Sequence, residues 1–287
     1  MSYENFKEAL QLAEAGDPAA QNLVAANYLA GNNVAADPAR ALHWFTAAAE
    51  QGHALAQNDL GMIFGQGVVV ARNGEQAFFW FTAAAQQGLA VACVNLAQCY
   101  TDGIGTPVNV EQRVFWLTRA AEAGHDEGQN ELGVSLLGGI GVARDSVAAV
   151  AWFRKSAAQG HLHGQFNLAA CLEIGDGAIV DFAEAVSWYT RAAENGFAPA
   201  MNNLGLCLED GHGLAADAEK AFFMFRGAAA QAFAPAEFNV ARCYEGGFGV
   251  PANIDEASLW YYKAARAGHE GATRELVRLH GALNIDE

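Results

Sequence analysis

The chain has 287 residues, with 16 Lys and Arg against 32 Asp and Glu, a formal charge of −16, and 52% apolar residues. So apolar a composition excludes a disordered chain. So acidic a balance excludes nucleic acid and anionic membrane as direct partners, both being polyanions, and leaves room for a basic protein or peptide.

The low count of 6 Pro, with abundant Ala, Leu, Gln and Glu, favours helix, and the length allows one or two compact domains. No apolar run reaches the roughly 18 residues of a membrane span. The opening residues Met1 to Glu8 carry acids and no signal-type apolar core. Five cysteines, an odd number without a close CxxC pair, suit reduced thiols, so a cytoplasmic location is expected.

In chain order, the first expected element is a lone helix near residues 4–15, within an N-terminal capping segment 1–16. Helix pairs then follow in a register of 36 residues: Trp44, Trp80, Trp116, Trp152, Trp188 and Trp260 are separated by 36 or a multiple of it, with Met224 at the missing step. Four more rows share the period. One is Gly16, Gly52, Gly88, Gly124, Gly160, Gly196 and Gly268, with Ala232 as the exception. A second is the Gly31 to Gly247 row, a third the Asx row from Asp37 to Asn253, and a fourth the small residues from Ala20 to Ala272. Residues 53–88 show the expected unit. Ala56, Leu60, Ile63 and Phe64 form the core stripe of an A-type helix ending at Gly67. Asn73 is placed to cap a B-type helix whose stripe is Ala77, Trp80, Phe81, Ala84 and Ala85, ending at Gly88. A unit this small cannot bury its own face, so neighbours must stack. Seven units are expected, 17–52, 53–88, 89–124, 125–160, 161–196, 197–232 and 233–268, followed by a C-terminal capping helix and tail over 269–287.

The strings Ala41-Leu42-His43-Trp44-Phe45-Thr46-Ala47-Ala48-Ala49-Glu50-Gln51-Gly52 and Ala56-Gln57-Asn58-Asp59-Leu60-Gly61, and Gly103-Ile104-Gly105 before Asn109, resemble the Sel1-like repeat, a relative of the tetratricopeptide repeat. The resemblance runs through essentially the whole chain. It implies an all-α, right-handed α/α superhelical solenoid whose A-type helices line a concave groove. It also implies adaptor or scaffold work rather than catalysis. The helix-pair disulfides of some cysteine-rich members are not expected, because Ala49, Ala85 and their equivalents occupy the relevant B-helix position.

Few residues suggest chemistry. Cys99, Cys171, Cys207 and Cys243 share one core register, with Cys93 elsewhere on its helix, and all are expected to be small packing residues. His53, His125, His161 and His269 fall in turns of different units and cannot converge on one metal. The Gly-x-Gly pairs follow helices, so helix termination explains them better than a phosphate loop. The six serines include no Gly-x-Ser-x-Gly. No catalytic residue, metal, cofactor or small-molecule substrate is expected.

The concave face is the candidate site. Reading its registers along the chain gives Asn95, Gln98, Glu131, Phe166, Asn167, Asn203, Phe238, Asn239 and Arg242 as candidate partner-binding residues. Their amides either clamp a peptide backbone or join neighbouring repeats. Phe166 and Phe238 depart from a register that holds Asn58, Asn130 and Asn202 elsewhere, so they are either exposed anchors for a partner or packing against the next helix. Acids at Glu173, Asp176, Asp181, Glu184, Glu209, Asp210, Asp217 and Glu219 outline a possible negative rim. The expected function is non-catalytic protein–protein interaction. An immunity protein that neutralises a toxic effector is the alternative, and a hydrolase the remote one.

Overall fold

The computed structural model describes residues 6–280. Among these residues every regular element is a helix. The residues up to Asp145 form one compact unit and those from Ser146 a second. The first holds α1 (Phe6–Glu14), α2 (Pro18–Ala30), α3 (Pro38–Glu50), α4 (Ala54–Gln66), α5 (Gly74–Gln86), α6 (Ala90–Asp102), α7 (Val110–Glu122) and α8 (Asp126–Gly138). The second holds α9 (Ser146–Ala158), α10 (Leu162–Ile174), α11 (Phe182–Glu194), α12 (Ala198–Asp210), α13 (Ala218–Ala229), α14 (Ala234–Gly246), α15 (Ile254–Arg266) and α16 (Glu270–His280). Within each unit, successive helices pack antiparallel as an α/α solenoid, with even-numbered A-type helices alternating with odd-numbered B-type ones. The lone first helix is present as α1, although Glu4 lies outside the described residues, as does the tail 281–287. No described helix is long and apolar enough to cross a membrane.

Local chemistry sets these boundaries. Asp37, Asn73, Asn109, Asp181, Asp217 and Asn253 each accept a hydrogen bond from a backbone N–H at the start of a B-type helix. Each A-type helix from α2 to α14 ends at a glycine with φ between 66° and 77°. One long backbone bond then sets the return, for example Asn73 N–H to the Phe64 carbonyl at 2.9 Å and Asn253 N–H to Tyr244 at 2.8 Å.

The second glycine of each Gly-x-Gly pair does more than end a helix. Gly105 has φ +68, and a Cβ there would lie 2.1 Å from the Gly74 carbonyl oxygen. The loop therefore rests on the first residue of the preceding B-type helix, and the pair is an inter-repeat contact.

The core differs from expectation in the tryptophan register, and Phe64 of the expected A-helix stripe is also only half-buried. Trp44, Trp80 and Trp152 are only half-buried. The next residue along carries the deep packing: Phe45, Phe81, Leu117, Phe153, Tyr189, Phe225 and Tyr261 are all 7% exposed or less. The indoles lie at the outer margin, where Lys155 sits 3.8 Å over the Trp152 ring and Lys263 3.8 Å over Trp260.

Two further capping devices recur in some of the repeats. Gln21, Gln57, Gln129 and Gln165 are buried, and their amides donate to the carbonyls of Ala13, Ala49, Ala121 and Ala157 at the ends of the preceding B-type helices. His53, His125, His161 and His269 are helix N-caps. Each Nδ1 accepts the backbone N–H three residues on, at 3.2–3.3 Å, the role that Asp17 plays for Ala20 at 2.7 Å.

Candidate functional site

In the first unit the A-type helices α6 and α8 touch directly, as expected where A-type helices line the inner side of the curve. Three hollows follow one another along this side. One of about 210 Å³ is lined by Ala26, Leu29, Phe45, Asp59, Met62, Ile63 and Gln66. The next, about 230 Å³, shares Met62 and Gln66 and continues to Phe81, Asn95 and Gln98. The third, about 140 Å³, shares Gln98 and ends at Arg113, Leu117 and Glu131. Phe45, Phe81 and Leu117, the deep residues of α3, α5 and α7, appear in the three linings in turn, so the hollows repeat with the fold. Leu29 and Met62 are each 40% exposed, which leaves apolar surface on the inner face where a monomer would otherwise bury it.

The nine candidate residues divide between the two units. Asn95, Gln98 and Glu131 belong to the track of hollows. Asn95 is also a structural link: its amide donates to Asn58 Oδ1 at 2.8 Å, and Asn58 is buried rather than facing outward. Gln98 is exposed and donates to Asp102 at 2.7 Å. Glu131 accepts from the Arg113 guanidinium at 2.8 Å.

In the second unit the Asn row is engaged by the protein itself. Asn203 donates to the Tyr189 hydroxyl at 3.0 Å, and that hydroxyl donates to Glu173 at 2.8 Å. Asn202 donates to Asn203 at 3.3 Å, and Asn239 to Asn202 at 2.8 Å. Arg242 donates both to Asn239 at 3.1 Å and to Glu209 at 2.9 Å. These bonds form one network running from Glu173 to Glu209 across three A-type helices. Burial pushes the Tyr189 hydroxyl well above its ordinary pKa, so it remains a proton donor inside this network. Asn167 is half-buried on α10 beside Phe166.

Phe166 and Phe238 are half-buried and packed. Phe166 has ring centroids 5.8 Å from both Tyr189 and Phe197, and Phe238 stacks on His269 at 4.4 Å and meets Tyr261 at 5.4 Å. The acidic rim is also partly occupied. Glu184 pairs with Arg154, which holds its carboxyl below the usual carboxylate range. Asp217 caps α13 and pairs with Lys220, and both hold its carboxyl down.

Of the residues lining the first two hollows, the sequence candidates include only Asn95 and Gln98; Met62 and Gln66 lie on the same concave-face registers, and Leu29 lies outside them. The feature that makes these residues a site is an empty volume, and in the second hollow the small residues Gly65 and Ala77 leave room for it. The thiols offer no chemistry: all five are buried, and burial pushes Cys99, Cys171, Cys207 and Cys243 up to about 11.

The family model described as the Sel1 repeat matches seven consecutive segments, residues 18–53, 54–89, 90–125, 126–161, 162–197, 198–233 and 234–269. Among solved structures, a protective antigen present in uropathogenic Escherichia coli strains and displaying an SLR fold aligns with a TM-score of 0.87 at 32% identity, covering 98% of this chain and 60% of that one. A Sel1 repeat protein from Oxalobacter formigenes aligns with a TM-score of 0.75 at 31% identity, covering 96% and 79%. The chain therefore spans about 60% of the length of the first of these relatives. No curated protein matched in the corresponding search.

Proposed function

Because the chain belongs to the Sel1 repeat family, we propose that it is a non-catalytic protein-binding scaffold. Its inner A-helix face in the first unit receives a segment of a partner protein. Sel1 repeat solenoids are typically interaction modules, and the observation that carries this reading here is the track of three hollows at one-repeat spacing. The first two hollows are mostly apolar with a few polar groups, the usual make-up of a binding site, while the third is lined mainly by polar side chains. The Asn row of the second unit takes a different part in this reading. Its amides are already bonded to one another, so they hold repeats in register and leave recognition to the first unit.

A photo-crosslinking phenylalanine analogue tests the proposal. Placed at Met62 in the full chain in its native cell, it is expected to give a discrete protein adduct, whereas the same group at exposed Phe79 on α5 should not. An adduct from Phe79 with none from Met62 would overturn the inner-face reading. Neutralisation of a toxic effector is one use of such a face. It is supported if the captured protein is an effector whose activity the purified chain suppresses.

A further inference from the structure

Two acids break the Asn row of the A-type helices in the first unit, and they are treated differently. Glu131 on α8 accepts from Arg113 at 2.8 Å, and Arg113 also donates to Ser135 Oγ at 2.5 Å. Arg113 stands on α7, four residues before the deep Leu117. Two repeats earlier the same three registers hold Ala41, Asp59 and Phe45. Ala41 is fully buried and supplies no cation. Among the described residues Asp59 forms no ion pair, and the Asn58 amide is its hydrogen-bonding neighbour. Where a guanidinium would reach it lies the hollow of about 210 Å³, and Asp59 is the one charged residue in its lining.

We propose that this hollow is an arginine-binding pocket: one arginine side chain of the protein partner enters between Leu29 and Met62 and sets its guanidinium against the Asp59 carboxylate, as Arg113 meets Glu131. The inference rests on the scaffold reading and adds the chemistry of the partner. Leu29 and Met62 offer apolar walls for the three methylenes, and the planar guanidinium suits the Asp59 carboxylate in the same lining. Burial pushes the Asp59 carboxyl above its ordinary range, the mark of an under-solvated carboxylate that gains from an incoming cation. The wider field agrees in sign, since residues 1–145 carry 15 acids against 6 Lys and Arg.

The test uses small probes and the full chain. Met62 is one of four methionines, so its ¹³C-labelled methyl is a resolved reporter inside the hollow, with Met201 and Met224 as references in the second unit. N-acetyl-arginine N-methylamide is titrated against the isosteric, uncharged citrulline derivative. The proposal expects a saturable Met62 shift with the arginine probe alone, and affinity about tenfold weaker in D59N, the size of one lost charge-assisted bond. In E122Q, which alters an exposed acid on α7 outside all three hollows, binding is expected to equal the wild type. A41R, which rebuilds the Arg113 arrangement inside the chain, should abolish the shift while the helical signal is kept. Equal shifts from both probes, an unchanged D59N, or no saturable shift up to roughly 50 mM would overturn the pocket. If these failures occur while Met62 still crosslinks a protein, the arginine pocket falls and the scaffold reading stands.

Discussion

Phe153 and Trp152 are neighbours on α9 with opposite packing, and removing each in turn measures where the core runs. Phe153 is 0% exposed, so Phe153→Ala loses a fully buried ring and leaves a cavity, a change that costs about 3–5 kcal/mol. Trp152 is half-buried, with the Lys155 ammonium over its ring at 3.8 Å. A half-buried indole withdraws about 100 Å² of apolar surface from water, which at about 25 cal/mol/Å² is about 2.5 kcal/mol. Much of that is recovered when the exposed margin relaxes, so Trp152→Ala is expected to cost about 1–2.5 kcal/mol. Urea unfolding followed by far-UV circular dichroism is the suitable assay, because Trp152 is itself a fluorophore. Midpoints are the quantity to compare, since a repeat array need not unfold in two states. A larger loss for Trp152→Ala than for Phe153→Ala would refute the placement of the deep core one residue beyond the tryptophans.

Three other outcomes follow from the same packing. His53 must be neutral for Nδ1 to accept the Ala56 N–H, and burial lowers its pKa from the ordinary 6.5. The unfolded chain then binds the proton more readily, so this contribution is complete above about pH 6.5 and is lost as pH falls toward the folded-state pKa. His53→Asp, copying the Asp17 cap, should therefore flatten the change in urea midpoint between pH 7 and 5.5, and an unchanged slope would count against the cap. The buried thiols should stay unreactive to Ellman's reagent at pH 8 until urea unfolds the chain, and rapid native labelling would contradict their packing role. Phe238→Ala should lower the unfolding midpoint by about 1–2 kcal/mol equivalent, because the ring stacks on His269 and packs at a tilt against Tyr261; an unaltered midpoint would return it to the class of free surface anchors.

Much of the fold was legible because helix ends demand particular residues. Asn73 and Gly67 mark a cap and a stop in any context, so their recurrence fixed the helix pairs before any packing was known. Deep burial asks for volume rather than identity, so Phe45, Leu117 and Tyr189 share a register that no single residue type marks, while the uniform tryptophans beside them drew the eye. The glutamine caps were hidden for a related reason, since Cys93, Met201 and Glu237 interrupt their row. The histidine caps were visible as a row, but histidine is an uncommon N-cap, and the role shows only in the Nδ1 geometry. In the candidate site, Asn95, Asn203 and Asn239 were correctly placed on helix-A registers, yet whether an amide meets a partner or the next repeat depends on a distance of about 3 Å that spacing does not encode. The hollows were least legible, because they are empty volumes for which small residues such as Ala77 and Gly65 leave room.

Quantitative affinity capture from the native cell addresses the binding face most directly. Three versions of the full chain would be compared: the wild type, a double variant L29E/M62E that blocks the first hollows, and a double variant F79S/F223S that alters exposed rings on B-type helices. A protein retained by the wild type and the ring variant but lost from the blocked variant is the expected result, with all three chains equally helical. The same protein held equally by the blocked variant would contradict binding on the inner face.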